Sequence, residues 1–537
     1  MTRARRLTIP LLALAALLAA CSRPNEGASA TPAAAARPAA PAAGIAWEKA
    51  ASEADVDAAF AQARSEGKPV FLYWGAKWCP PCNQLQATLF NRQDFIERSR
   101  AFVPVYIDGD SPGAQKLGAR FKVRGYPTMV MFNPQGAELT RLPGEVDAAQ
   151  YTQVLTLSMN AQRPLTAVLA DARAGGQGLS ANDWRLLAFY SWESDEQQLV
   201  PKAELPATLR QMAAACPAEQ IETSTRLMLK AIAAASSPKG TAPDAAARER
   251  VLRLLADAAQ ARAHMDILGN GAVELVGALS APKTPQRGQL LVAFETALRR
   301  FEADTSLSRA DRLTALFARV ELARIDRPKD SQEPLPAPLL MEVREHAARA
   351  DRDITDGYER QAVIPFAGYV LQQAGMLDES DALLQANLAR SHSPYYLMSE
   401  LSSNARKRGD KSGALRWAEQ AFDKSEGPAT RLQWGASYVN ALVELAPADE
   451  PRIEKAVSGL LDETAGQANA FYERSARSLQ RIGKVLLAWN KEHSHAPAMQ
   501  RLQARLDAVC ARLPAGDPQR AVCAALFKPA LASKSDT

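Results

Sequence analysis

Two cysteines three residues apart, in Trp78-Cys79-Pro80-Pro81-Cys82, are the part of this 537-residue chain whose residue types and spacing speak most directly to chemistry. At the start of a helix such a pair lies one turn apart, with its sulfurs in bonding reach. A thiolate at the first position attacks a disulfide, and the second sulfur then resolves the mixed disulfide. The other use of a Cys-x-x-Cys is half a zinc site. Zinc takes four ligands, typically from two such pairs. There is no second pair, and none of the five histidines has ligand spacing to this one, so no metal is expected. Four cysteines remain. Cys510 and Cys523 bracket the turn-rich RLPAGDPQR and read either as a structural disulfide closing a small loop or as two buried free thiols. Cys216 is left unpaired and is expected to be buried. Cys21 belongs to the leader described below.

The residues around the pair alternate strand and helix signals from 45 to about 160, the pattern of an α/β domain. Ala54 to Arg64 has a helical period and is stopped by Gly67 and Pro69. Val70-Phe71-Leu72-Tyr73-Trp74 is a continuous apolar run, as in a strand buried on both faces. A helical stretch follows the cysteines to about Arg98. Phe102 to Ile107 reads as a strand, Lys116 to Phe121 as a short helix and Met129 to Phe132 as a strand. Asn133 to Gly136 is a turn, Glu138 to Leu142 a partner strand, and Asp147 to Leu157 a closing helix.

A Trp-Cys-x-x-Cys after a central strand and a Pro-Thr before a later one, carried by KPVFLYWGAKWCPPC and DSPGAQKLGARFKVRGYPTMVMF, resembles the thioredoxin family. The lead-in from Trp47 to Lys68 is similar to thioredoxin-like domains of periplasmic reductases. The resemblance implies a thiol–disulfide oxidoreductase with Cys79 as nucleophile, Cys82 as resolving thiol and no cofactor. It implies that Trp78 shields one side of the pair, that Pro127 is the family's cis-proline, and that Tyr126 helps to line the substrate groove. Its partners would be protein thiols and disulfides, together with a redox-recycling partner that the sequence does not name. Such chemistry asks for one sulfur exposed and easily ionised at a helix start, where free N–H groups and partial positive charge favour the thiolate. Two positions depart from the family. The buried Asp commonly found six residues before the first Cys is Tyr73 here, and the Lys that partners it aligns with Pro104. The proton acceptor for Cys82 is therefore unassigned. Pro80 and Pro81 also have no N–H to offer, which leaves Cys82 N–H as the nearest donor to the Cys79 sulfur. Fewer donors mean a less stabilised thiolate, which points to a reductase or exchanger over a strong oxidase.

The N-terminus reads as a leader. Arg3, Arg5 and Arg6 precede an apolar run from Leu7 to Ala20, shorter than a bilayer-spanning helix needs. Leu18-Ala19-Ala20-Cys21 resembles the lipobox of bacterial lipoproteins, which implies lipidation of Cys21 after removal of 1–20. Ser22 behind it points by the same resemblance to the outer membrane, with the folded part facing the periplasm. Residues 21–44 are Ala- and Pro-rich with no large apolar side chains, and read as a semi-extended tether. Loss of three arginines and no acids takes the formal charge from +5 to +2, which gives no argument for nucleic-acid binding.

From 161 to 537 strand signals vanish and amphipathic helices separated by Pro and Gly take over. Ser308 with Asp311 reads as a capped start, with Leu313, Leu316, Phe317 and Val320 on one face. Gly375 and Gly409 lie 34 residues apart, each between helical stretches, in the manner of degenerate tetratricopeptide-type hairpins. An all-α helical-repeat region of the α-solenoid kind is expected, with a surface suited to protein partners. Two functions compete. In the first, Cys79/Cys82 exchange disulfides with envelope proteins. In the second, the helical region is a binding scaffold and the thioredoxin-like domain is redox-inactive. A narrower role, reduction of apocytochrome c thiols, is disfavoured because Met129 follows Thr128.

Overall fold

A central strand buried on both faces organises the first part of the structure. This computed structural model describes residues 44–528 apart from 145, 193–194, 196–198, 236–243, 329–330 and 332. The leader 1–20, the lipidation site Cys21 and nearly all of the tether lie outside the described residues. Strand β2, Val70–Gly75, pairs in parallel with β3, Val103–Asp108, and antiparallel with β4, Thr128–Phe132. β1, Glu48–Lys49, and β5, Glu138–Leu142, complete the sheet in the order β1-β3-β2-β4-β5. Alternation along β2 sends Val70, Leu72 and Trp74 to one core and Phe71 and Tyr73 to the other. The first core is covered by α1, Glu53–Glu66, and α4, Ala114–Phe121. Ser52 and Asp55 form a capping box at the start of α1, and Gly67, at φ +64°, ends it.

On the second face lie α2, Pro80–Leu85, α3, Gln93–Arg98, and α5, Ala148–Met159. The single helix expected from the cysteines to Arg98 is interrupted here. A π-turn over Gln86–Phe90 buries both Leu89 and Phe90, and the chain restarts from an extended Arg92. Phe90 gains contact with Trp47 and Tyr73, at ring centroid distances of 5.3 and 4.9 Å. Burying two adjacent side chains against one core outweighs continuity of the helix.

Helices alone make up the rest of the described secondary structure, from Leu165–Arg173 to Gln519–Ala525. Ser308 and Asp311 form a reciprocal capping box on the helix Arg309–Leu322. Gly375 and Gly409, at φ +85° and +78°, turn the chain between the packed helices Gly357–Gln373 and Leu377–Asn387, and between Pro394–Lys407 and Lys411–Lys424. Among the described residues no helix is long and apolar enough to cross a membrane. Among the described residues the sheet domain and the helices pack into one compact unit. Contacts between them include Gln84 Nε2 donating to Asp311 Oδ1 at 3.0 Å and an Arg262–Asp147 ion pair at 2.9 Å.

Candidate active site

Cys79 caps the N-terminus of α2 in an extended conformation, with Pro80 and Pro81 in the first two helical positions, where their missing N–H groups cost nothing to the helix. Its sulfur accepts from Cys82 N–H at 3.2 Å and is bonded to the Cys82 sulfur, with the Cα atoms 5.2 Å apart. The Tyr126–Pro127 bond is cis, and Tyr126 meets Trp78 edge-on at 6.5 Å. Cys79, Cys82, Trp78 and Tyr126 therefore share one cluster.

Below the pair there is no carboxylate in place of the family's acid. Tyr73 is buried among Trp47, Phe90 and Tyr106, and burial holds its phenol far above the usual range. Pro104 stands beside Phe71 in the sheet register. Asp108 ends β3, and Asp110 lies in the turn after it. Burial pushes the Asp110 carboxyl up, opposed by hydrogen bonds from Thr430.

The exposed sulfur that the chemistry asks for is not exposed. Cys79 and Cys82 are 1% and 4% accessible, because the helical region packs across the redox face. Tyr395, Met398, Ala421 and Trp434 close over the pair. Tyr396 stacks on Trp78 at 6.2 Å, with ring planes 17° apart. The helix Gly357–Gln373 lies against α2, and Gln361 Nε2 donates to the Trp78 carbonyl at 3.2 Å. Asp110 accepts from Thr430 N–H at 2.8 Å and from Thr430 Oγ1 at 2.5 Å. Gln115 Oε1 accepts from Arg474 N–H at 3.0 Å, and His392 Nε2 meets Asn83 Oδ1 at 3.2 Å. The Arg474 guanidinium lies over the rings of both Trp78 and Tyr126, at 4.4 and 4.9 Å. The indole N–H groups of Trp78 and Trp434 are buried with no acceptor among the described residues.

None of these covering residues was singled out in the sequence. The one signal they carry is aromatic: Tyr395, Tyr396, Trp417 and Trp434 crowd one stretch of a chain that is only 6% aromatic. Beside the cover a cavity of about 370 Å³ is lined by Pro80, Pro81, Phe366, Tyr369, Tyr396 and Glu400. Burial pushes Glu400 up to about 7.

The other cysteines lie elsewhere. Cys510 and Cys523 are disulfide-bonded, with Cα atoms 5.7 Å apart. Cys216 is free and buried, and burial pushes its thiol up to about 11. Among the described residues no three His, Cys, Asp or Glu side chains are grouped to hold a metal ion.

Residues 56–157 match the family model of a thioredoxin-like domain. Thiol:disulfide interchange protein DsbD 1 of Pseudomonas aeruginosa is 34% identical over 107 residues, 19% of this chain and 18% of that protein. DsbD of Klebsiella pneumoniae subsp. pneumoniae is 32% identical over 112 residues, 20% of this chain and 18% of that protein. The chain thus spans about a fifth of the length of the curated relatives it matches. A thioredoxin from Thermus thermophilus, known from a solution structure, is 28% identical over 21% of this chain and 85% of that one, with a TM-score of 0.19. The N-terminal part of the protein is a thioredoxin-like α/β domain, and a largely helical region follows it.

Proposed function

We propose that the protein is an envelope thiol–disulfide oxidoreductase that acts on protein disulfides through Cys79 and Cys82. The observation that carries this reading is the disulfide at the N-terminus of α2 beside the cis Tyr126–Pro127 bond, in a domain similar to part of the DsbD proteins. Cys79 attacks the client, Cys82 releases it, and Trp78 and Tyr126 flank the groove. With both sulfurs covered, a protein client gains access only when the helical region lifts from the redox face. The lipobox-like Leu18-Ala19-Ala20-Cys21 supports anchoring by lipid on Cys21, with the folded part facing the periplasm from the outer membrane. Labelled palmitate should enter the wild-type chain in a bacterial host and not a Cys21→Ser variant.

The cover itself favours a second reading, in which the helical region is a protein-binding scaffold and the thioredoxin-like domain is redox-inactive. Cys82→Ser in the full chain separates the two. Under the first reading it accumulates mixed disulfides through Cys79, visible on non-reducing gels and lost on adding Cys79→Ala. No adducts at all would leave the scaffold.

A further inference from the structure

Closing the helical region over the redox face ought to make a Cys79 thiolate harder to form. Burial disfavours the charged form of a thiol, and the two prolines have already removed donors from the helix start, leaving Cys82 N–H alone on the sulfur. A chain that hides its nucleophile in this way must bring charge from somewhere else.

The charge that arrives with the cover is Arg474. Its helix, Glu473–Trp489, is anchored where Gln115 accepts from the Arg474 and Ser475 N–H groups, at 3.0 and 3.4 Å. The guanidinium is thereby laid over the faces of Trp78 and Tyr126, two of the aromatic side chains that share the cluster with Cys79 and Cys82. It forms no ion pair with a carboxylate among the described residues. The charged and titratable groups around it are Tyr126 and Asp110 on the redox domain, Tyr396 on Pro394–Lys407, and the adjacent Glu473 and Arg477 on its own helix, with Asp108 acting on Tyr126. Glu473 pairs with Arg477 at 2.7 Å, and Asp110 is held by Thr430. On the other side of the pair, Lys77 is loosely paired with Glu426 at 3.7 Å, and burial lowers the His392 imidazole below its usual range.

We propose that Arg474, supplied by the helical region, is a positioning residue that holds Cys79 as the thiolate when the disulfide opens, so that the helical region sets the redox poise of the pair it covers. This rests on the thiol–disulfide reading. Reduction by two glutathione thiols breaks the Cys79–Cys82 bond and forms one glutathione disulfide. Of the two protons released, Cys82 keeps one and solvent takes the other, because the guanidinium over Trp78 and Tyr126 keeps Cys79 ionised. Stabilising the reduced form in this way makes the pair more oxidising than its prolines alone would have it.

The test uses the full chain equilibrated in glutathione buffers, with the fraction of Cys79–Cys82 disulfide read after acid quench. Thiolate absorbance at 240 nm, titrated against pH in the reduced protein, gives a second readout that needs no access to the sulfur. Arg474→Gln should shift the equilibrium constant toward the disulfide by about tenfold, about 30 mV more reducing, and shrink the thiolate fraction at pH 7 by a similar factor. Arg474→Lys, which keeps the charge, should stay near wild type. Asp110→Asn, which removes a negative charge from the same corner, should move both readouts the opposite way. A merely structural role would move Arg474→Gln and Asp110→Asn in the same direction, or move neither, and either result overturns the proposal. A wild-type chain that glutathione cannot reduce at all sinks the thiol–disulfide reading itself.

Discussion

Cys510–Cys523 ties the helix Ala496–Ala511 to Gln519–Ala525, and Cys523 belongs to the apolar core that includes Leu479, Leu506, Leu526 and Phe527. Cys79–Cys82 spans one turn at a helix start, with a backbone donor on one sulfur and a guanidinium over the neighbouring rings. The bond is the same and the surroundings are opposed. Cys523 lies in an apolar core that disfavours the charge of its thiolate once that bond opens. At Cys79 a backbone donor is already in place, and a guanidinium lies over the rings of Trp78 and Tyr126. The lesson is that a disulfide is made labile or inert by what waits for its thiolate, more than by whether it is buried, since Cys79 and Cys523 are both almost fully buried.

The largest test of that contrast is a titration of the full chain with reductant, following each pair by differential alkylation and mass spectrometry. Cys79–Cys82 should open within the range of exchange proteins, about −180 to −270 mV, and Cys510–Cys523 only below about −300 mV. The separation should be at least about 60 mV, a hundredfold in equilibrium constant. If both open together, or Cys510–Cys523 opens first, the contrast fails.

A smaller effect isolates the cover. Gln361→Ala removes the donor to the Trp78 carbonyl, and Thr430→Ala removes the hydroxyl that Asp110 accepts from. Each buried hydrogen bond contributes about 1 kcal/mol net, and stranding part of a buried carboxylate costs more. The double variant should populate the lifted form about thirtyfold more and speed the opening of Cys79–Cys82 by glutathione by that factor. The rate at Cys510–Cys523 should not change. Equal acceleration at both pairs would mean general loosening of the fold instead.

The two regions also differ in how readable they were. The apolar run Val70–Trp74, the stop at Gly67, and the Ser308 and Asp311 capping pair are local signals, and each corresponds to an element of the structure. The donor left to Cys79 was legible for the same reason: proline chemistry acts within one turn. The pairing of Cys510 with Cys523 was one of two open readings, since spacing alone does not choose between a bond and two free thiols. The break at Phe90 was missed because it depends on Trp47 and Tyr73, which periodicity within 83–98 cannot see. The cover was missed more completely. Gln361, Thr430 and Arg474 are ordinary helix residues, and nothing within a few positions of them says that they reach a site hundreds of residues earlier. Local chemistry is written locally, but the docking of two cores is a sum over surfaces that no short motif encodes.

The smallest expected effect concerns Glu400, in the cavity beside Pro80 and Pro81. Burial raises its carboxyl from 4.5 to about 7 in the folded protein. The native state therefore keeps a proton that the unfolded chain gives up between about pH 4.5 and 7. Stability must fall as pH rises through that window and level off above it. Partial solvent contact and the nearby Lys407 trim the effect to about 1 kcal/mol between pH 5 and 8. Denaturant midpoints of wild type and Glu400→Gln should converge near pH 5 and separate by pH 8, with the variant the more stable. The gain should come with a tighter cover and slower opening of Cys79–Cys82, since the cavity borders both. A variant equally stable at both ends of the range would mean that Glu400 is solvated in the folded protein, and that the cover carries no such charge penalty.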